Sequence, residues 1–396
     1  MTQSASLPPL LLTSNPGSFA HNTLKVRVPR ILRDTVEAND FPPGVRVRLE
    51  ALYEELTVGR IRPLEEDAPD AAQWNAWSAP YVGRAWLDVP WYWAEAYFYR
   101  RLLEATGYFQ PGEMARIDPF APIKRREWAA DAAPAAVTAV LENLSDDLRT
   151  RFEQTFHASL WGNRTDLSYT IAAHLGATAE PGQERANLLV DDWLAVWEHL
   201  TNRDMNKVAI ITDNAGTELL MDVVLADFLL TAELASGVQM HLKPQPFYVS
   251  DAMKQDLADG TDALIEAGGA AARLGRRMDG AIVAAEISLR THPFYCSPLF
   301  YEEIPADLRA SFAEMNLVIV KGDANYRRLV GDRHWPSTTP FSAVTAHFPA
   351  PVVALRTFKS ELVVGLAEGQ AEREAAVDPD WLVNGRRGVI QAALTV

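Results

Sequence analysis

The sequence predicts an α/β protein: a Rossmann-like three-layer α/β/α core on a mostly parallel sheet, preceded by an N-terminal helical region. Two observations predict it. From about residue 186 short apolar runs rich in Val and Ile alternate with helical stretches, the pattern of parallel strands buried on both faces. Ahead of that point, apolar residues recur at helical spacing between turn-rich breaks. The chain is therefore expected to divide into a helical region, residues 1–185, that packs on the active site, and an α/β core, residues 186–396.

The elements follow in order. "PGVRVRLEALYEEL" and "PWYWAEAYFYRRLLEATGYF" read as helices, the second with Pro90 at its start and Gly107 near its end. "DAAPAAVTAVLENLSDDLRTRFEQTFHASLW" continues in the same style. The expected strands are "KVAIIT", "GVQMHLK", "GAIVAAEI", "NLVIVK", "PVVALRT" and "ELVVGL", separated by helices such as "TELLMDVVLADFLLTAEL" and "ADLRASFAEM". No repeat and no low-complexity linker interrupts them.

A chain of 396 residues, 48% hydrophobic and 22% charged, has ample material for a large core. The formal charge of −15, from 52 acidic against 37 basic residues, disfavours nucleic acid and anionic membranes as partners. The N-terminal stretch "MTQSASLPPLLLTSNPGSF" lacks the basic n-region of a signal peptide, and no apolar run is long enough to span a bilayer, so a cytoplasmic location is expected. The lone cysteine, Cys296, excludes an intrachain disulfide and reads as a structural thiol.

In parallel sheets ligands sit beyond the carboxyl ends of the strands, so the residues just after each strand are the candidates. Asp213 and Asn214 follow "VAIIT", Asp251 follows "HLKPQPFYVS", Lys321 and Asp323 follow "LVIV", and Arg356 and Lys359 surround "ALRT". Two carboxylates and an amide oxygen suit a hard divalent ion such as Mg²⁺ or Mn²⁺ that shares its remaining positions with a phosphate. Asp213 and Asn214 also suit a helix N-cap, and Gly216 with the helix after it offers amides to an anion.

"VIVKGDANYRRLVGDRHWP" gathers Lys321, Asp323, Asn325, Tyr326, Arg327 and Arg328 directly after a strand; a solvated helix start explains the charges but not the interleaved Asn and Tyr. In "LRTFKSELVVGL", Arg356 offers a planar fork and Lys359 a point charge to a phosphate. "SLWGNRTDLSY" reads either as a helix terminator at Trp161 and Gly162 with a new cap at Asn163 or Asp166, or as a wall of the pocket. The chain has no GxG, GxxxxGK[ST], GxSxG or HExxH, and its histidines show no ligand spacing.

Taken together, "TDNAGTELLMDVVLADFLL", "SLWGNRTDLS", "PWYWAEAYFYRRLL", "VIVKGDANYRRLVGDRHWP" and "LRTFKSELVVGL" resemble the damage-control phosphatases, in the sugar-phosphate branch marked by an Arg-Thr-x-Lys motif. Proteins of this kind have also been labelled acidic-residue or protein-glutamate O-methyltransferases. The resemblance runs from about residue 20 to about 370. It implies hydrolysis of phosphate monoesters, with Mn²⁺, Co²⁺, Ni²⁺ or Mg²⁺ as the ion and small phosphorylated metabolites such as fructose 1-phosphate or fructose 6-phosphate as substrates. Carried across, the metal ligands fall on Asp213, Asn214 and Asp251, the substrate loop on Asp323, Asn325, Tyr326 and Arg327, and the Arg-Thr-x-Lys motif on Arg356, Thr357 and Lys359. Ala324 and Thr217 depart from the bulkier and aromatic residues common at those points, which bears on substrate preference.

The leading expectation is a phosphatase in which the ion polarises phosphorus, Lys359 and Arg356 neutralise the other oxygens, and Asp213 or Asp251 accepts a proton from water. Lys321 is counted with the substrate-binding group, and Glu95 of "PWYWAEAY" is a further candidate for the pocket. An AdoMet-dependent carboxyl methyltransferase is the second reading; its cofactor usually lies on a glycine-rich first turn, where this chain has Asp-Asn-Ala-Gly. A non-catalytic sugar-phosphate-binding protein is the third, and nothing here resembles an output module.

Overall fold

The computed structural model describes residues 7–128, 132–162, 187–203 and 205–395. Its centre is a seven-stranded sheet in the order β1-β7-β6-β5-β2-β3-β4. The strands are β1 (Leu188–Asp191), β2 (Lys207–Ile211), β3 (Gly237–Leu242), β4 (Ile287–Thr291), β5 (Leu317–Lys321), β6 (Val352–Thr357) and β7 (Gly388–Ala393). β2 to β6 run parallel, whereas β7 pairs with β6 antiparallel and β1 lies parallel to β7 at the edge.

The apolar strand runs are explained by burial on both faces. Ala209 and Ile211 of β2, Val318 and Val320 of β5, and Val352 and Ala354 of β6 point into one core. Their alternates Val208, Ile210, Leu317, Ile319, Val353 and Leu355 point into the other. The first core takes in helices of the N-terminal half, including Pro43–Thr57 and Trp91–Thr106. The second takes in Ala132–Glu142, Leu148–Trp161 and Thr217–Thr231. The result is the expected three-layer α/β fold.

The Trp91–Thr106 helix starts after Pro90 and ends at Gly107, whose φ of 80° lets its amide turn back to the carbonyls of Leu103 and Glu104. It is enclosed on all sides, so its charges are paired: Arg100 with Glu66 and Asp70, Arg101 with Glu55, and Glu95 with Arg327.

Two of the expected strands differ in the structure. "GAIV" of "GAIVAAEI" completes the Gly269–Val283 helix, the chain turns at Ala285 with φ 60°, and the strand is Ile287–Thr291. An apolar run of this length fits a helix end as well as a strand. "ELVVGL" is buried but not in the ladder; the Val364 amide reaches the Tyr326 hydroxyl and its carbonyl receives Gln391 Nε2 at 2.7 Å, while the Gly365 and Leu366 amides bond the Thr339 and Ser337 carbonyls. β1 and β7, absent from the expected set, form the reversed edge instead.

Candidate active site

β2 and β5 are neighbours, but the chain leaves β2 toward β3 on one side and β5 toward β6 on the other. That reversal opens a crevice at the carboxyl ends of the strands. Asp213 and Asn214 emerge there from β2. Gly216, with φ 79°, begins the Thr217–Thr231 helix, and no side chain caps it. The carboxylate and carboxamide are therefore not spent as caps. Asn214 Nδ2 instead donates to Asp213 Oδ2 at 2.8 Å and to Glu218 Oε2 at 2.9 Å, while Asn214 Oδ1 accepts from Ser250 Oγ at 2.5 Å.

Asp251, distant by 38 residues in sequence from Asp213, comes beside it because the chain folds back after β3. Residues 214 and 251 form an antiparallel bridge, and 243 and 253 a parallel one. The Ala252 amide donates to the Asp213 carbonyl at 2.8 Å and the Ala215 amide to the Ser250 carbonyl at 2.7 Å. The loop leading in carries Tyr248 and Val249 at φ 45° and 65°, conformations that cost L-residues energy and are held by the surrounding contacts. Lys243 Nζ lies 3.1 Å from Asp251 Oδ2 as a buried ion pair.

The opposite wall comes from β5 and β6. Asp323, first residue of the Asp323–Val330 helix, accepts at Oδ1 from Arg356 Nε at 2.7 Å, Ser360 Oγ at 2.9 Å and the Lys359 amide at 3.2 Å. Arg356 lies over the Tyr326 ring at 4.2 Å and is wholly buried, and its Nη1 has no hydrogen-bond partner among the described residues. The Lys359 ammonium has no ion pair among the described residues, yet acts attractively on Asp213.

The charges show strong mutual influence. Burial above all, then the nearby Glu218 and Asp251, pushes the Asp213 carboxyl well above the usual range against the pull of Lys243 and Lys359. Burial likewise raises Asp251, with Lys243 opposing. Burial also acts to raise Asp323, but Arg356, Arg327 and Ser360 outweigh it and hold that carboxyl below its ordinary value.

The structure thus gathers Asp213, Asn214, Asp251, Asp323 and Lys359 at one crevice. Lys321, Tyr326 and Arg327 lie behind it with their polar groups taken up by protein, and so does Asn325, whose Nδ2 is bonded while its buried Oδ1 has no hydrogen-bond partner among the described residues. Lys321 Nζ reaches Asp222 at 2.7 Å, the Ser159 carbonyl at 2.6 Å and Glu218 at 3.3 Å. Asn325 ties the Thr212 carbonyl at the end of β2 to that of Lys321 at the end of β5. The Tyr326 hydroxyl donates to Gln391, and Arg327 is clamped between Glu95 at 2.6 Å and Asp332 at 2.7 Å over the Trp91 ring. Glu95 also accepts from the Tyr248 hydroxyl at 3.3 Å, so it braces the loop before Asp251. Asn163 and Asp166 lie outside the described residues.

Sequence reasoning missed Lys243, Lys124, Glu218 and Ser250. Lys124, from the Ala121–Trp128 helix, donates to the Asp251 carbonyl at 2.9 Å and to Asp256 at 2.8 Å, and pairs with Asp118 at 3.1 Å. Lys243 follows β3 directly, where the strand-end rule pointed, but only the fold-back shows that it faces a carboxylate.

Among the described residues no group of three His, Cys, Asp or Glu side chains is spaced to hold an ion. The donors on offer are two carboxylates and one carboxamide, all oxygen ligands suited to a hard divalent cation. The fit is favourable: Asp213 and Asp251 repel one another in a buried setting, a repulsion that a cation held between them would relieve.

Residues 23–374 match the damage-control phosphatase ARMT1-like domain. The chain is 31% identical over 446 residues to the Danio rerio protein named damage-control phosphatase ARMT1, covering 99% of this chain and 98% of that one. The Homo sapiens protein of the same name is 30% identical over 441 residues, covering 98% and 99%. Among solved structures, a DUF89 family protein from Pyrococcus horikoshii aligns with a TM-score of 0.52 at 15% identity over 94% of this chain and 97% of that chain, a likeness in fold.

Proposed function

Since the chain belongs to the damage-control phosphatases with the ARMT1-like domain, we propose that Asp213, Asn214 and Asp251 hold the divalent ion on which this metal-dependent family relies, and that the substrate is a hexose phosphate. The observation that supports this reading is the bridge between residues 214 and 251, which brings Asp251 beside Asp213, a carboxylate on which Lys359 acts attractively. Mn²⁺, Co²⁺, Ni²⁺ and Mg²⁺ all suit the donor set. When bound, the ion supplies Lewis-acid polarisation of the phosphoryl group and activation of water.

The chain's own residues supply the rest. Lys359, whose ammonium has no ion pair among the described residues, neutralises phosphoryl oxygens as negative charge builds in the transition state. Arg356 holds Asp323 in place through Nε and leaves Nη1 for an anion at the crevice floor. Asp323, kept charged by these neighbours, accepts a substrate hydroxyl. Asp213 takes the proton of the attacking water, because Asp251 is already paired with Lys243. Lys321, Asn325, Tyr326 and Arg327 contribute by fixing the strand ends beneath.

The test is phosphate release from a panel of hexose phosphates and p-nitrophenyl phosphate, with each ion in turn and with excess chelator. Asp213→Ala should abolish ion-dependent release while the circular dichroism spectrum stays native. Full turnover by that variant, or by wild type in chelator, would overturn the reading.

A further inference from the structure

We propose that Glu218 is a positioning residue for the ion site: its carboxylate fixes which end of the Asn214 carboxamide turns toward the cation, and Lys321 fixes the carboxylate. The inference rests on the assignment of Asp213, Asn214 and Asp251 as the residues that hold the ion.

The oxygen and the nitrogen of a carboxamide have nearly the same shape, so packing does not choose between them. Only the oxygen is a ligand for a hard cation; a flipped amide would present two N–H groups to it. Hydrogen bonding must therefore choose. Ser250 Oγ, 2.5 Å from Asn214 Oδ1, belongs to a hydroxyl that donates or accepts equally well, and it does not discriminate. Asp213 Oδ2, 2.8 Å from Nδ2, accepts only, but its charge is itself committed to the ion. That leaves Glu218 Oε2, 2.9 Å from Nδ2, as the acceptor that holds the nitrogen away from the cation.

Glu218 has little freedom to do otherwise. Its side chain is buried, and its other oxygen lies 3.3 Å from Lys321 Nζ, an ammonium itself pinned by Asp222 Oδ1 at 2.7 Å and the Ser159 carbonyl at 2.6 Å. Ser159 Oγ completes the cluster with a 2.6 Å bond to the same Asp222 oxygen. The Leu148–Trp161 helix brings Ser159 in at close range because it is followed by Gly162; a Cβ there would lie 2.9 Å from Glu218 Cα. This assigns Lys321 a role one step removed from substrate. Outer partners of this kind typically govern ligand orientation and metal affinity.

The experiment is calorimetric titration of MnCl₂ into chelator-stripped, full-length protein, with melting temperature followed alongside. Glu218→Gln keeps the shape but adds an amide that can donate to Asn214, so it permits the flip; Mn²⁺ affinity should fall about 10–100-fold. Glu218→Asp keeps the charge beside Lys321 while withdrawing the acceptor, and should weaken binding to a smaller degree, which preserves the test should the Gln variant fold poorly. Asp222→Asn removes the other partner of Lys321 without touching Asn214; it should lower the melting temperature yet leave Mn²⁺ affinity within about twofold of wild type, since it makes no contact with a ligand. Wild-type affinity in both Glu218 variants, or an equal loss in Asp222→Asn, overturns the inference and leaves the ion site standing. Wild type that takes up no Mn²⁺ removes the ion site and this inference with it.

Discussion

The carboxyl of Asp213 occupies the space where Gly322 would carry a side chain: a β-carbon on Gly322 would fall 2.0 Å from Asp213 Oδ2 and 2.1 Å from its Cγ. The two residues leave adjacent strands, β2 and β5, at the point where the chain's course reverses. The glycine is required twice over, since its φ of 82° is also unfavourable for any L side chain. Gly322→Ala is expected to displace the Asp213 carboxyl by roughly an ångström, lowering kcat/KM about 10²-fold. Overpacking should cost stability about 1–3 kcal/mol as well. Steady-state kinetics on p-nitrophenyl phosphate together with urea unfolding would check both; unchanged kinetics would show that the position of Asp213 does not matter.

Lys124 ties the N-terminal half to the site. Its buried ammonium compensates Asp118 and Asp256 and holds the Asp251 carbonyl. Lys124→Met keeps the aliphatic stem but strands the buried Asp256 and the partly buried Asp118, and breaking a buried pair in this way typically costs about 3–5 kcal/mol. Chemical denaturation measures that loss. If the anchoring of Asp251 matters as the contacts indicate, Mn²⁺ affinity falls too, measured well below the variant's melting temperature.

The architecture was legible because parallel strands buried on both faces write long Val and Ile runs, and because residues after such strands face the crevice. Asp213, Asn214, Asp323 and Lys359 follow from that rule alone. The reversed edge was not legible: β1 spans Leu188–Asp191, too short for a period to register, and "ELVVGL" has strand composition yet bonds the Tyr326 and Gln391 side chains and the Thr339 and Ser337 carbonyls instead of a strand. Nor did spacing distinguish Lys321, whose ammonium turns under the sheet end, from Lys359, whose ammonium does not. Glu218 and Lys124 escaped because each acts through another residue, on an amide or a carbonyl, and local sequence carries no mark of that.

Acid should expose another buried group. Burial, with a smaller push from Arg290 and His292, lowers the His241 imidazole to about 3, and its Nδ1 pairs with the Tyr295 hydroxyl at 2.7 Å. In the unfolded chain a histidine titrates near 6.5, so between those values the unfolded state binds the extra proton and stability falls as pH falls. From pH 7 to pH 5 this group alone should remove about 2 kcal/mol. Asp222 works in the opposite sense: burial raises it to about 6, so its penalty is complete above that pH and is relieved toward acid. Comparing wild type with His241→Gln at both pH values isolates the histidine. The variant should lose about 2 kcal/mol less than wild type, and equal losses would mean that His241 takes up its proton in the folded state.

Lys359 offers the sharpest separation of function from fold. Its backbone amide bonds Asp323 at 3.2 Å, a contact that no side-chain change removes. Its ammonium has no ion pair among the described residues, so little folded-state energy depends on it. Lys359→Met should therefore melt within a few degrees of wild type, because a shift of about 1 kcal/mol moves the midpoint of a large chain only slightly. The charge it presents to a phosphoryl group is a different matter, since it acts where negative charge grows during reaction. Loss of one such preorganised group typically lowers kcat about 10²–10³-fold. The variant should also lose much of the thermal stabilisation that inorganic phosphate gives wild type, because ground-state binding uses the same charge. A variant with wild-type kcat and wild-type phosphate stabilisation would place the substrate elsewhere on the molecule, and the attraction of Lys359 for Asp213 would then serve the fold alone.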